Sequence, residues 1–415
     1  MLSKYYIFVT KGNTSIQKGI AMNNNLLLKE IKDNYSGGDF TSKEILGQPN
    51  LWLKVWEYVK SMAPEISIFL NKAKSNTKMH IILTGAGTSA FIGEILEGPF
   101  QRGTGLITKA VATTDLVTHP ELYFQNDKEV LLISFARSGN SPESTKAIQL
   151  AEQLSHKILN IVITCNENGN LVKNLKNSDN LIFFLPPEAD DKSLAMTSSF
   201  TSMLLAGLLI SDINSIDDKK SEVSTLNLYG KKIFSEYLSS LLAVSELDFD
   251  RAVFLGSGPM KGVARESHLK LQELTDGKIV CTYDSFLGLR HGPKAVINEH
   301  SLLTYLFSNN RYVNKYEVDF VNDISNGRKP IFSIGIMESK IEGIHLDLEI
   351  ILGDGESKLS EDFLAIVSVL PAQILGFFKS FQSGLKPDNP SVSGMINRVV
   401  QGVNIYPYDG ENNIK

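Results

Sequence analysis

Apolar positions along this chain follow two alternating rhythms, and the switches between them predict the elements. Short β-branched runs at 80–84, 107–112, 130–134, 158–163 and 181–185 read as buried strands. Between them apolar residues return every three or four positions, as on one face of a helix. A second series at 252–255, 278–282, 301–306, 331–335 and 346–352 repeats the pattern. Such alternation predicts α/β units with parallel sheets covered by helices on both faces. A helix over Ser198–Ile210 closes the first unit, the polar stretch 213–227 reads as a linker, and a helix near 228–246 opens the second. Phe363–Phe381 reads as one long apolar helix.

Outside the alternation, residues 22–78 read as helical. Thr41-Ser-Lys-Glu44 has the form of a capping box, and Leu51, Trp52, Val55, Trp56 and Val59 form a packing stripe. Residues 1–21 are a weakly patterned extension. The resulting division is 22–78, a first unit at 79–227, a second at 228–385, and a tail at 386–415. The tail begins Pro-rich, but around Asn397 and Arg398 it is too apolar for a free end and is expected to dock near the site.

The two series share a signature. Met79-His-Ile-Ile-Leu-Thr-Gly-Ala-Gly-Thr-Ser89 and Arg251-Ala-Val-Phe-Leu-Gly-Ser-Gly-Pro259 both run from an apolar strand through Gly-x-Gly into a helical pattern, 171 residues apart. At the same offset 129–134 answers to 300–305, and 158–163 to 329–334. The chain reads as a duplicated α/β unit, each Gly-rich turn a candidate anion site at the open end of a sheet.

Composition narrows the partners. A net charge of −5 and a pI of about 5.9 give no basic field for nucleic acid or anionic lipid, so a bound phosphate must be held by local geometry. Cys165 and Cys281 have neither metal-ligand nor disulfide spacing, which suits a reducing cytosol, and the expected location is cytoplasmic. No stretch reads as the roughly 18–20 apolar residues that span a bilayer.

Four segments carry chemistry. Thr84-Gly-Ala-Gly-Thr-Ser89 offers backbone approach at Gly87, hydroxyls at Thr88 and Ser89, and a helix start whose free N–H groups suit an anion. Tight strand–helix packing explains the glycines equally well. The turn is no dinucleotide fingerprint, because Ala90 stands where the third glycine belongs, and no Walker loop, because Gly-Lys-Ser/Thr is missing. Ser134-Phe-Ala-Arg-Ser-Gly-Asn-Ser-Pro-Glu-Ser144 crowds Ser138, Asn140, Ser141 and Ser144 onto one turn, more than a helix cap requires. Thr197, Ser198 and Ser199 mark a third hydroxyl-rich helix start. The fourth segment puts Glu266, Lys270 and Glu273 on one helical face, a pattern usually solvated, ahead of His291 on a Gly-Pro-bounded turn. No His, Cys, Asp and Glu grouping has metal-ligand spacing, and no metal or cofactor is expected.

In combination these segments resemble the sugar isomerase (SIS) domain family of phosphosugar enzymes, in particular its bacterial AgaS-type group of galactosamine-6-phosphate deaminases or tagatose-6-phosphate ketose/aldose isomerases. The matching stretches are Gly85–Ser89, Ser134–Ser144, Ala264–Thr275, Phe286-Leu-Gly-Leu-Arg-His-Gly-Pro-Lys294, and Asp388-Asn-Pro with Asn397-Arg-Val-Val-Gln-Gly402. The resemblance implies two tandem SIS domains, each a parallel five-stranded sheet flanked by helices, in a dimer or tetramer that shares its site between subunits. It implies that Thr88, Ser89, Ser138, Ser141 and Thr197 hold the sugar phosphate. Glu273 would move the C1/C2 proton, Lys270 would stand beside it, and His291 of a neighbouring subunit would assist ring opening. Ala136 and Met196 replace serines of the related glucosamine-6-phosphate synthase, thinning a cradle that Arg137 is expected to support.

The chemistry suits these residue types. A histidine can deliver a proton to a ring oxygen near neutral pH, and one desolvated carboxylate can serve both C1 and C2. With about 78 residues before the first SIS strand, no glutaminase domain fits, so an amino sugar phosphate is expected to be consumed rather than made. The expected reaction is galactosamine 6-phosphate to tagatose 6-phosphate and ammonia. Plain aldose–ketose isomerisation is the alternative on the same residues, and a sugar-phosphate-sensing module the alternative of another class.

Overall fold

The structure, a computed structural model, describes residues 36–76, 78–175, 179–327, 329–355, 358–400 and 402–408. The 1–21 extension and the start of the 22–78 segment lie outside the described residues. The chain separates into two compact units: Asn50–Ser224 with Ser393–Lys415, and Met1–Pro49 with Thr225–Val392. We refer to them as the first-sheet and second-sheet units.

The first-sheet unit holds β1 (Met79–Thr84), β2 (Thr108–Ala110), β3 (Glu129–Ala136), β4 (Lys157–Thr164) and β5 (Asn180–Phe184), in the order β2-β1-β3-β4-β5. All pairings are parallel. Central β3 is buried along its whole length, its apolar run Val130–Ile133 flanked by the equally buried Glu129 and Ser134. The second-sheet unit holds β6 (Arg251–Gly256), β7 (Val280–Asp284), β8 (Ser301–Leu306), β9 (Phe332–Met337) and β10 (Leu348–Ile351), ordered β10-β9-β8-β6-β7. Read from the other edge this is the same order, again all parallel. All ten strands lie where the sequence pattern puts them.

The duplication holds in detail at the switch point of each sheet. Met79 faces Glu129 and Arg251 faces Ser301, a separation of 50 residues in both copies. The repeat is not uniform beyond that point. Leu131 faces Leu159 while its counterpart Leu302 faces Phe332, so β9 has slipped two residues from the expected offset.

Helices cover both faces. In the first-sheet unit α3 (Thr88–Thr104) follows β1, α4 (Pro142–Leu154) follows β3, and α5 (Ser198–Ser211) is buried along its entire length. Val130, Leu132 and Val162 pack with Ala147, Ile148 and Ala151 of α4 into the core on one face. α1 (Asp39–Ser61) and α2 (Ala63–Lys74) come earlier in the chain. In the second half of α1 Trp52, Val55 and Val59 are fully buried, and the Trp52 and Trp56 indoles donate to Thr201 Oγ1 (3.1 Å) and to the Ile216 carbonyl (2.9 Å). The expected stripe is thus a packing face. The helix begins before the Thr41 capping box, because the Asp388 carboxylate accepts the Thr41 amide and hydroxyl, each at 2.8 Å.

Two readings of the second half need correction. The boundary between the units falls at Ser224–Thr225, inside the expected linker 213–227, but that stretch is helical from Lys220, where α6 (Lys220–Lys232) begins. The long apolar helix is two, α10 (Glu361–Ser368) and α11 (Leu370–Gln382), broken at Val369 just before Pro371. By length and composition Glu361–Gln382 also passes as a membrane span, contrary to the sequence reading, yet its apolar window is completely buried inside the protein. The remaining helices of the second-sheet unit that bear on chemistry are α7 (Pro259–Leu274), α8 (Phe286–Leu289) and α9 (Arg311–Ser325).

Candidate active site

In each sheet the strand order reverses between its first and third strands, and in open α/β sheets the loops leaving two such strands are where ligands bind. In the first-sheet unit these loops are Gly85–Gly87 and Arg137–Ser141. Gly85 is fixed by packing, since a Cβ there would stand 2.5 Å from the Ser89 backbone. Gly87 caps α3 with φ +56° and no side chain of its own, so the start of α3 carries Thr88 and Ser89 directly behind a bare turn. Both are buried, and Ser89 Oγ lies 4.0 Å from Met196 Sδ. Ser138 and Ser141 sit half-exposed on the loop before α4. Asn166 Nδ2 donates to the Ser138 carbonyl (2.7 Å), and the Leu171 amide to the Gly139 carbonyl (2.8 Å), bracing that loop. Ser141 Oγ donates to Glu143 Oε2 at 2.5 Å and must release it to serve an anion.

The third hydroxyl-rich helix start is arranged differently. Asp191, fully buried, accepts the Thr197 amide at 2.8 Å and the Thr197 hydroxyl at 3.1 Å. It also takes the Ser198 and Ser199 amides at 3.0 and 2.9 Å and both their hydroxyls at 2.5 Å. An internal carboxylate therefore occupies the start of α5, and Thr197 faces it. Arg137 is directed to the same loop. Its guanidinium donates to the carbonyls of Ser193 (3.4 Å), Leu194 (3.2 Å) and Arg398 (2.5 Å). Burial pulls Arg137 below its ordinary pKa, and the Asp191 charge acts against that fall. Arg398 grips the loop in return, donating to Asp190 Oδ1 (2.7 Å) and to the Asp191 carbonyl (2.9 Å). Sequence reasoning placed hydroxyls here but missed Asp191, whose one visible signal was an acidic loop six residues before a Thr-Ser-Ser cluster.

The second-sheet unit keeps the turn and changes its side chains. Gly258 caps α7 at φ +55°, and a Cβ on Gly256 would stand 2.2 Å from the Met260 carbonyl oxygen. Pro259 and Met260 follow in place of Thr88 and Ser89. At this second switch point the fully buried Glu317 of α9 accepts from the Ser308 amide (3.2 Å) and from Asn314 Nδ2 (2.9 Å). Burial raises its pKa to about 7 against the pull of those hydrogen bonds, with the Glu361 charge adding to the rise.

The ion-paired line of this unit lies on α7. Lys270 is fully buried, 3.2 Å from Glu266 Oε1 and 2.7 Å from Glu273 Oε2. Burial lowers its pKa, and the two carboxylates more than offset this and hold the ammonium above its ordinary value. The face, of a pattern usually solvated, is here a carboxylate–ammonium–carboxylate line. Glu266 is fully buried at its inner end, and Glu273 keeps 24% of its side chain exposed at the outer end. His291 is exposed on the turn after α8, where its amide donates to the Gly288 carbonyl (3.1 Å) and Gly292 follows at φ +135°. Among the described residues no group of three or more His, Cys, Asp and Glu side chains is placed to hold a metal ion.

Comparison with known proteins follows the same lines. The SIS domain profile matches residues 75–210. The D-galactosamine-6-phosphate deaminase AgaS of Shewanella sp. (strain ANA-3) is 39% identical over 388 residues, 92% of this chain and 96% of the relative. The chain belongs to the SIS domain family, in its AgaS-type group. A solved structure from Clostridium novyi NT has a TM-score of 0.87 at 37% identity, covering 92% of this chain and 97% of that one. The tagatose-6-phosphate ketose/aldose isomerase of Escherichia coli has a TM-score of 0.80 at 33% identity, covering 90% and 97%. In this AgaS-type chain the profile match covers the sheet with the hydroxyl-lined helix starts, while Glu273 and His291 lie in the second copy.

Proposed function

We propose that the protein converts galactosamine 6-phosphate to tagatose 6-phosphate and ammonia. The observation that carries this reading is the α7 line, in which a buried ammonium fixes one oxygen of a half-exposed glutamate. It is supported by the hydroxyls at the starts of α3 and α4 and by the AgaS deaminase relative.

Thr88, Ser89, Ser138 and Ser141 bind the phosphate, with Arg137 and Thr197 in supporting positions. His291, supplied by the neighbouring subunit of a homo-oligomer, protonates the ring oxygen and opens the sugar. Glu273, its Oε2 held by Lys270, removes the proton from C2, and the C1 carbonyl becomes an enol. Returning the proton to C1 leaves a ketimine at C2. Water adds to that carbon, the C–N bond breaks, and ammonia leaves with a ketose phosphate behind. One carboxylate carries both proton movements, for which a general base contributes on the order of 10²–10⁴-fold.

A second reading has specific support in the Escherichia coli relative, which carries the isomerase name: the same base moves the proton of a neutral aldose phosphate, and no nitrogen is lost. The test is to incubate purified protein with galactosamine 6-phosphate, and separately with galactose 6-phosphate. Ammonia formed with tagatose 6-phosphate in equal amounts supports deamination. Interconversion of the neutral sugars without ammonia assigns the isomerase. Saturable binding without turnover of either assigns a sensor.

A further inference from the structure

Asp191 lies outside the matching stretches named above and outside the roles assigned to them, yet it is bonded six times over. It accepts three backbone amides and three hydroxyls from residues 197–199, and its side chain is fully buried. A helix start with that many donors is a ready anion site, and a phosphate cannot enter while a carboxylate of the chain fills it. We infer that Asp191 is a positioning residue for the phosphate cradle. It pins the 190–197 loop from behind and keeps the third helix start closed, so that phosphate is confined to the starts of α3 and α4.

Two contacts carry this from Asp191 to the cradle. The carbonyls of Ser193 and Leu194, two and three residues on, hold the guanidinium of Arg137, which immediately precedes Ser138. Met196, next to the pinned Thr197, lies against the Ser89 hydroxyl. The Asp191 charge also acts on Arg137, offsetting part of the cost of burying its guanidinium. Without the carboxylate, the six donors of residues 197–199 would lose their acceptor, and the loop bearing Met196 would lose its anchor. The charge and the hydrogen bonds thus act together on Ser89 and Ser138, which touch the substrate, while Asp191 does not.

This inference rests on the reading of those hydroxyls as the phosphate site, and the experiment separates the two. Inorganic phosphate binding is measured calorimetrically, and KM and kcat with galactosamine 6-phosphate, for wild type, Asp191→Ala and Asp191→Asn. We expect both variants to raise KM by about tenfold, the usual size for a lost charged hydrogen-bond partner, and Asp191→Ala to bind a second phosphate at the opened helix start, where wild type binds one. We expect kcat to stay within about threefold, because the base lies elsewhere. Sodium formate should fill the vacated space in Asp191→Ala, restoring KM and raising its melting temperature, with no effect on wild type. Asp191→Asn keeps the shape of the loop if the alanine variant fails to fold, and carries the same KM test. Wild-type KM in a folded variant would overturn the inference, as would a single bound phosphate in folded Asp191→Ala, or a raised KM in that variant that formate leaves unchanged. If wild type itself binds no phosphate, the cradle reading falls and takes this inference with it.

Discussion

The two sheets of this protein share one backbone and differ in the side chains it carries. Both have the same strand order, the same 50-residue register between their central strands, and a capping glycine at φ +56° or +55°. After that glycine the first copy continues Thr88-Ser89 and the second Pro259-Met260. In the second copy a buried glutamate, Glu317, lies at the switch point, and the carboxylate–ammonium line lies further along α7. Duplication preserved what packing demands, the glycines and the strand pairing, and left free what a ligand demands, the side chains around the crevice. Identical turns are therefore no guide to identical function.

The comparison breaks most sharply at Glu273. Glu273→Gln should lower kcat by about 10²–10⁴-fold with the fold intact, and its counterpart position in the first copy should show no such effect. Activity measured beside circular dichroism checks this. Substitution at the packed glycines should strike both copies alike. Gly85→Ala and Gly256→Ala each force a Cβ to within 2.5 Å of backbone. Each should destabilise its own unit by about 2–4 kcal/mol, read by urea unfolding.

Much of this was legible in the sequence, because strands and Gly-rich turns are written locally. Part of what escaped was set by residues distant in the chain. The start of α1 depends on Asp388, 347 positions away from Thr41, so a local capping box was read instead. Thr197 looked like an open donor because the carboxylate that fills its helix start sits in an unremarkable acidic loop. The Glu266–Lys270–Glu273 spacing was visible, but its burial depends on how α7 packs. A surface helix and a buried one share that spacing.

Finer tests compare the crevices directly. Ser138→Ala and Thr88→Ala should each raise KM by about 5–30-fold with kcat little changed, as expected for a lost hydrogen bond to a charged group. Met260→Ser, which restores a hydroxyl to the second turn, should leave KM within about twofold. The smallest effect is a matter of pH. Glu317 has its pKa raised to about 7 in the folded protein, so the folded state binds the proton more tightly than the unfolded chain does. Its stability contribution is complete below the ordinary carboxyl range and is lost as pH rises through about 7. Glu317→Gln should melt like wild type near pH 5 and a few degrees higher near pH 8, by calorimetric scans.

The proposed division of labour is tested most directly by proton NMR of galactosamine 6-phosphate turned over in deuterium oxide. One carboxylate serving both carbons predicts tagatose 6-phosphate that keeps part of the substrate's C2 proton at C1, the remainder being deuterium exchanged in from solvent, with ammonia released in step, and loss of product in Glu273→Gln. Product formed at the wild-type rate by Glu273→Gln would show that the proton travels by another group, and would contradict the role given to the second sheet.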